Sequence, residues 1–161
     1  MASPLSASTL QPLVAQLNAD YARALDDDRL EDWPAFFAEA CLYVITSADN
    51  HRHGLPAGVM YADGKGMLHD RVAALRQANV YERQTYRHLV GLPAILGDED
   101  GHVRAETPFL VVRIMRDGRM DLFATGRYVD VLADEDGALR LRERLVVCDS
   151  SRFDTLLAIP L

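Results

Sequence analysis

Apolar residues recur at intervals of three and four near the start of the chain, which predicts an amphipathic helix over 8–25. Ser6 or Ser8 can cap its N-terminus. The acidic run at 26–28 places carboxylates where the helix dipole disfavours them, so we expect the helix to stop there. A short amphipathic segment follows at 30–37, and its helix is predicted to begin near Asp32 because Pro34 fits a first helical turn.

The pattern then changes to one typical of strands. β-Branched and aromatic residues predict a strand at 41–46, and an irregular stretch rich in Gly, Pro and Asn follows over 47–64. A helix is predicted at 66–79. The rest of the chain is predicted to form strands at 86–92, 103–116, 120–132 and 139–149, ending in an apolar tail at 156–161.

One turn sets the expected register of the long strands. Asp117-Gly118 predicts a two-residue type I′ hairpin, because Asp-Gly supplies the positive φ values that this turn needs. If Arg116 pairs with Arg119, then Phe109 lies opposite Gly126, and a glycine facing an aromatic residue inside a strand indicates a sharply bent sheet. Helices followed by a meander of antiparallel strands predict an α+β fold, with helices covering one face of a curved, cone-shaped sheet.

The strand at 103–116 is apolar on both of its faces. One face carries Phe109, Val111 and Met115, and the other face carries Leu110, Val112 and Ile114. An antiparallel strand with one solvent-exposed face should alternate regularly between apolar and polar residues. We therefore expect the second face to be covered by a helix or by another subunit.

Composition narrows the function classes. The 161 residues carry a net charge of −7, with 49% hydrophobic and 25% charged residues, which fits a single domain over 1–161 with an N-terminal tail at 1–7. An acidic chain with no basic cluster argues against nucleic acid and anionic membranes as partners. Because no long apolar run or leader is visible, a cytoplasmic protein is expected.

The sequence predicts no metal centre in this chain. Cys41 and Cys148 lack the neighbouring histidines that a Rieske cluster requires. His51 and His53 are spaced so that a strand could aim both at one ion, but they lie in the Gly/Pro-rich stretch, where a solvated or interface loop is the favoured interpretation.

Five residues are of the types that small cone-shaped isomerases and dehydratases use as acid, base and oxyanion donor: Tyr21, Asp26, Tyr43, Tyr86 and His88. In the alternative, which we favour, Tyr21 and Tyr43 pack in the core with satisfied hydroxyls and His88 is hydrogen-bonded between strands.

Subunit contacts are the other candidate role for named residues. Arg140, Arg142 and Arg144 are predicted to share one face of the last strand, either solvated beside carboxylates or forming intersubunit ion pairs. Leu157 and Ile159 in the apolar tail are expected to be buried against a neighbouring subunit. These five residues are the predicted interface.

Short segments from about residue 10 to Leu161 resemble the small (beta) subunit of aromatic-ring-hydroxylating dioxygenases. They are YARALD at 21–26, GMLHDR at 66–71, YRH at 86–88, TGRY at 125–128 and RERLVVCDS at 142–150. The segments DNH at 49–51, NVYER at 79–83 and DTLLAIPL at 154–161 are most similar to the subgroup acting on aromatic carboxylates, with terephthalate as first candidate and salicylate- or anthranilate-like acids as the alternative.

The resemblance implies a cystatin-like, NTF2-type cone. It also implies a large (alpha) partner subunit that holds a [2Fe–2S] Rieske cluster and a mononuclear Fe(II), while the small subunit carries neither. Three small subunits would form the base of an α3β3 hexamer that receives electrons from NADH or NADPH through a reductase. No catalytic residue is carried over, and a free-standing isomerase or dehydratase on the same cone stays open.

Overall fold

The computed structural model describes residues 5–55, 58–77, 83–152 and 157–161. Helix α1, Ala7–Asp26, begins one residue earlier than predicted because Ser6 caps it, its hydroxyl accepting from the Thr9 N–H at 3.3 Å. The helix ends at the acidic run as expected. A 3₁₀ helix, Leu30–Phe36, follows it.

The stretch predicted to be irregular at 47–64 contains two regular elements. Strand β1, Phe37–Ser47, is followed by helix α2, Ala48–Arg52, which Ser47 caps by accepting from the Asn50 N–H at 3.1 Å. Strand β2, Met60–Asp63, then pairs antiparallel with β1. Helix α3 spans Lys65–Gln77, and its predicted end at 78–79 lies outside the described residues.

The remaining strands are β3, Gln84–Val90; β4, Ala94–Glu99; β5, His102–Met115; β6, Met120–Glu135; and β7, Ala138–Cys148. Strand β4 was not predicted, since it is short and contains a glycine and two acidic residues, all of which strands disfavour.

The described strands form one sheet in the order β2-β1-β7-β6-β5-β3, with β4 also paired to β5. Strands β1 and β7 are parallel and the other pairs are antiparallel. Strand β4 pairs with the first half of β5 and β3 with its second half, and α1 contacts both β3 and β4. The predicted α+β layout, with helices packed on one side of an open sheet, is confirmed.

The type I′ prediction was made at the wrong Asp-Gly pair. The pairs at 100–101 and 136–137 have positive φ at both positions and form two-residue type I′ turns. At 117–118 only Gly118 has positive φ, and its N–H donates to the Met115 oxygen at 2.9 Å, which makes a three-residue turn.

The predicted register is nevertheless confirmed in the middle of the hairpin. The Met115 N–H donates to the Arg119 oxygen at 2.8 Å, so the pairing starts one residue away from the predicted Arg116–Arg119 pair. A bulge in β6 then restores the alignment, and Phe109 lies opposite Gly126. The extra turn residue and the bulge compensate each other.

Gly126 allows β6 and β7 to approach closely. A Cβ atom at this position would lie 2.1 Å from the Val147 main-chain oxygen. The opposing Phe109 ring stacks on Tyr128 with 4.6 Å between ring centroids. The glycine is therefore required by the packing of the sheet.

The core lies between α1 and the inner face of the sheet. The apolar stripe of α1, including Leu10, Val14 and Leu17, is buried there with Trp33 and Phe37. No helix within the described ranges is both long and apolar enough to cross a bilayer.

Candidate functional site

Asp26 and His88 form a buried pair where α1 ends beside the edge strand β3. One Asp26 oxygen lies 2.6 Å from His88 Nδ1, and the other accepts from the His88 main-chain N–H at 2.9 Å. The side chains are 3% and 0% exposed, respectively. The two contacts fix the orientation of the His88 ring, with Nδ1 towards the carboxylate and Nε2 on the opposite side of the ring.

The ring nitrogen of His88 that faces away from Asp26 is unsatisfied. Within the described residues, His88 Nε2 is buried without a hydrogen-bond partner. The Tyr86 ring lies 6.2 Å from the His88 ring, between centroids. The structure thus brings together Asp26, Tyr86 and His88 of the five predicted catalytic-type residues. The interpretation that the His88 ring bonds between strands is wrong, because its partner is on α1.

Tyr21 and Tyr43 lie elsewhere in the core. Both hydroxyls donate to the Leu161 main-chain oxygen at 2.8 Å, and Tyr43 also accepts from the Leu161 N–H at 3.0 Å. Burial raises the pKa of the Tyr21 hydroxyl and raises the pKa of Tyr43 further. This confirms the interpretation that the two tyrosines pack in the core with satisfied, neutral hydroxyls.

Arg144 belongs to a second buried polar cluster. Its Nε and Nη2 donate to the two Asp130 oxygens at 2.9 and 2.8 Å, and both side chains are fully buried. Nη2 also donates to Asn18, and the guanidinium lies between the Tyr21 and Tyr128 rings, 4.3 and 3.9 Å from their centroids. Burial lowers the pKa of Arg144, but Asp130 together with Tyr21 and Tyr128 gives a net rise, so the guanidinium stays charged.

The prediction that Arg140, Arg142 and Arg144 share one face is therefore wrong. Strand β7 carries an extra residue at Arg142 opposite β6, and this bulge changes the alternation so that Leu141 and Arg144 both face the core. Arg144 cannot contact a neighbouring subunit, which corrects the interface prediction for that residue. Arg142 is exposed with Nη1 2.9 Å from His102 Nε2. For Arg140 and Arg142 the interface stays a prediction.

The described part of the apolar tail, 157–161, folds back onto its own chain. Ile159 is only 5% exposed and belongs to the core, so its predicted burial against a neighbouring subunit is wrong. Arg71 Nη2 donates to the Ala158 oxygen at 3.2 Å and helps to hold the tail. Leu157 is half-buried against the core and stays a predicted contact. The start of the tail, at 156, lies outside the described residues.

A cleft of about 680 Å³ opens between the N-terminal half of α1 and the two type I′ turns. We call it the acidic cleft: its apolar lining includes Leu5, Leu10, Leu13, Leu17, Phe36, Val103 and Leu139, and its charged lining residues are Asp20, Asp98, Asp100, Asp134 and Arg140. Four carboxylates and one guanidinium thus surround an apolar floor.

The opposite, outer face of the sheet carries uncovered aliphatic side chains. Met120 and Leu122 on β6 are 69% and 66% exposed, and Leu89 on β3 is 59% exposed. Between them on β5 lie half-buried aliphatic residues that are their register partners, Leu110, Val112 and Ile114. We call these six residues the aliphatic face. Since no described helix covers Met120 and Leu122, another subunit is the remaining predicted cover.

The described ranges contain no group of three or more His, Cys, Asp or Glu residues that could hold a metal ion. His51 and His53 fall on and just after α2, where His53 Nδ1 lies 2.8 Å from the Asp49 oxygen. Cys41 and Cys148 are buried free thiols, and burial, with the nearby Asp149 charge, raises the pKa of Cys148 to about 12.

Known proteins are similar to this chain in sequence and in fold. Residues 20–155 match the family model described as ring hydroxylating beta subunit. The chain is 50% identical, over 92% of its length and 96% of the relative's, to subunit beta 2 of the terminal oxygenase component of terephthalate 1,2-dioxygenase from Comamonas sp. It is 38% identical, over 92% of each chain, to the small subunit of anthranilate 1,2-dioxygenase from Burkholderia cepacia.

A solved structure agrees with the sequence comparison. The beta subunit of an aromatic-ring-hydroxylating dioxygenase from Novosphingobium aromaticivorans superposes with a TM-score of 0.88 at 43% identity, covering 96% of this chain and 99% of its own. The cystatin-like, NTF2-type cone implied by the resemblance is confirmed. The chain belongs to the family of ring-hydroxylating dioxygenase beta subunits.

Proposed function

We propose that this chain is a non-catalytic small subunit that assembles and stabilises an α3β3 oxygenase hexamer. Its large subunit would carry the [2Fe–2S] cluster and the mononuclear Fe(II), receive electrons from NAD(P)H through a reductase, and dihydroxylate an aromatic carboxylate. The role of the small subunit is geometric, because three large subunits must be held so that the Rieske cluster of one lies near the iron of the next.

The observation that carries this proposal is the 50% identity to a terephthalate 1,2-dioxygenase subunit across nearly the whole of both chains. The second relative, an anthranilate 1,2-dioxygenase subunit, is also named for an aromatic acid. Terephthalate is therefore the first candidate substrate, and an anthranilate- or salicylate-like acid is the alternative.

The placement of side chains supports an assembly role. Tyr21 and Tyr43 are held by the main chain of Leu161, and Arg144 is paired with Asp130, so these groups stabilise the fold. The aliphatic face stays exposed in the single chain, as expected for a surface that a partner covers.

The test is product formation from terephthalate by the large subunit and reductase, with and without this chain. We expect the cis-dihydrodiol product only when the chain is present. The large subunit alone, refolded or co-expressed with an unrelated small protein, is the control. Full activity without this chain would remove the structural role.

The buried Asp26–His88 pair favours a second candidate, a free-standing isomerase or dehydratase. A carboxylate that orients an imidazole with an unpartnered Nε2 is an arrangement suited to a general base. Its test is turnover of a ketosteroid-like or hydroxy-acid substrate by this chain alone. We would favour this candidate over the assembly role if Asp26→Asn and His88→Gln each abolish the activity. The control Asp70→Asn, on α3, should leave the activity unchanged.

A further inference from the structure

The two ends of the long strands differ in charge. Strand β5 begins at the 100–101 turn and ends at the 116–118 turn, and its 14 residues span about 46 Å. The acidic cleft lies at the first end, where four aspartates and one arginine surround apolar residues. The second end carries the excess of positive charge.

At that second end, Arg116 is exposed and Arg119 is 61% exposed. Asp121 lies 3.5 Å from Arg113 and 3.8 Å from Arg119, so one carboxylate is shared between two guanidinium groups. Asp117 accepts from the Arg119 main-chain N–H at 2.9 Å and faces its own turn. This leaves Arg116 and Arg119 beside the most exposed part of the aliphatic face.

We propose that the aliphatic face at the 116–119 end of one copy docks in the acidic cleft of a second copy. Met120 and Leu122 would pack on the apolar floor of the cleft, and Arg116 and Arg119 would pair with the aspartates at its rim. The volume of the cleft, about 680 Å³, falls within the roughly 300–1,000 Å³ of sites that enclose drug-sized ligands, so it can take the end of a hairpin.

A second copy is the occupant because both complementary surfaces are on this chain, at opposite ends of the same strands. A contact between two different surfaces of identical chains is head-to-tail, and it closes into a ring when each step turns by a fixed fraction of a circle. Three such steps give the trimeric base, so the inference rests on the proposed function and names the contact that builds it. The opposite charges of the two surfaces also disfavour packing of like ends.

The test uses charge reversal and its compensation. Arg116→Glu with Arg119→Glu changes one surface, and Asp20→Lys with Asp98→Lys changes the other. None of these four positions has positive φ. The mass of the purified chain is measured by sedimentation, and the mass of the co-expressed oxygenase component by native mass spectrometry.

We expect each double variant to raise the dissociation constant of the trimer by about tenfold or more, since rim charges facing like charges repel. The dissociation constant of the variant with all four changes should return to within about threefold of the wild-type value. In that variant a glutamate on one copy again faces a lysine on the next, so each contact contains opposite charges. Leu122→Asp should also dissociate the trimer, and Leu92→Asp, at a leucine 75% exposed outside both surfaces, should not.

Unchanged masses for either double variant, or no recovery in the four-change variant, would overturn this contact. Variants that keep the trimer but release the large subunit would assign the cleft to that subunit instead. Product formation from terephthalate by the wild-type component is measured in parallel. If the wild-type component is active and the variants assemble normally, the contact is wrong while the proposed function stands.

Discussion

The two faces of the sheet differ in the residues that lie in an unfavourable environment. The inner face buries charged side chains, and the outer face exposes aliphatic ones. On the inner face, charged Arg144 and Asp130 are fully buried, and each has the other as its counter-charge within the same chain. On the outer face, aliphatic Met120 and Leu122 are mostly exposed. A charge inside and an apolar surface outside are both costly alone, so the first requires an internal partner and the second an external one.

This difference separates two kinds of residue in one small protein. Changes on the inner face should alter the free energy of unfolding of the single chain. Changes on the outer face should alter association and leave folding almost unchanged.

Arg144→Leu should cost about 3–5 kcal/mol of folding stability, because it leaves the Asp130 carboxylate buried without its counter-charge. Denaturant unfolding followed by circular dichroism measures the loss. Arg142→Leu, two residues earlier on the same strand and exposed, is the control and should change stability by less than about 0.5 kcal/mol. Equal effects of the two changes would contradict the inward placement of Arg144.

Gly126→Ala should cost about 3 kcal/mol, because the added Cβ would lie 2.1 Å from a main-chain oxygen that cannot move without shifting β7. The same measurement applies. Gly66→Ala is a matched control, since its Cβ meets nothing within 4 Å and α3 should gain up to about 1 kcal/mol of helix propensity. A wild-type melting temperature for Gly126→Ala would show that the strands do not approach so closely.

Alkaline pH should destabilise the inner face through Cys148. The unfolded thiol loses its proton near pH 9.0, whereas the folded thiol holds it to a pKa of about 12, so the stabilisation is complete below pH 9 and is lost as pH rises towards 12. The expected slope from this group is about 1.4 kcal/mol per pH unit. The raised pKa values of Tyr21 and Tyr43 add a loss of the same sign at higher pH.

Unfolding curves measured between pH 8 and pH 11 check the direction and the slope. Cys148→Ala should remove the thiol's share and flatten the curve above pH 9. A slope that is the same in this variant and in the wild type would assign the alkaline loss to other groups.

Leu122→Asp should change folding stability by no more than about 0.5 kcal/mol, since the side chain is already mostly in water. Its effect should fall on association, because a carboxylate would then be buried without a partner in the assembled protein. Unfolding and sedimentation are measured on the same sample. A large loss of folding stability would show that the outer face also supports the fold.

The sequence predicted the parts of this molecule that follow simple periodicity. The stripe on α1 and the two-faced apolar pattern of β5 depend on regular spacing, whereas Phe109 pairs with Gly126 because the extra turn residue and the bulge in β6 compensate each other. The burial of Arg144 could not be predicted by counting along β7, because the bulge at Arg142 changes the alternation without any local signature. One signal was present: Asp130 lies on the same alternation as Tyr128 and Leu132, and a carboxylate on an apolar face requires a buried cation.

The interface prediction for Ile159 failed for a related reason. Apolar residues in the tail indicate burial but do not say against what, and Ile159 is buried by its own chain. The Asp26–His88 pair joins residues 62 positions apart, so spacing alone could not place them in contact. Of the five residues of catalytic type, Asp26, Tyr86 and His88 lie close together in the structure.

The most direct test of the account is terephthalate turnover by the large subunit and reductase, reconstituted with Leu122→Asp in place of the wild-type chain. We expect Leu122→Asp to keep the wild-type circular dichroism and melting temperature but to give neither a hexamer nor sustained product formation, whereas Leu92→Asp should give both. Full activity with Leu122→Asp, in a component of unchanged mass, would contradict the claim that this chain acts by assembling the oxygenase through its exposed outer face.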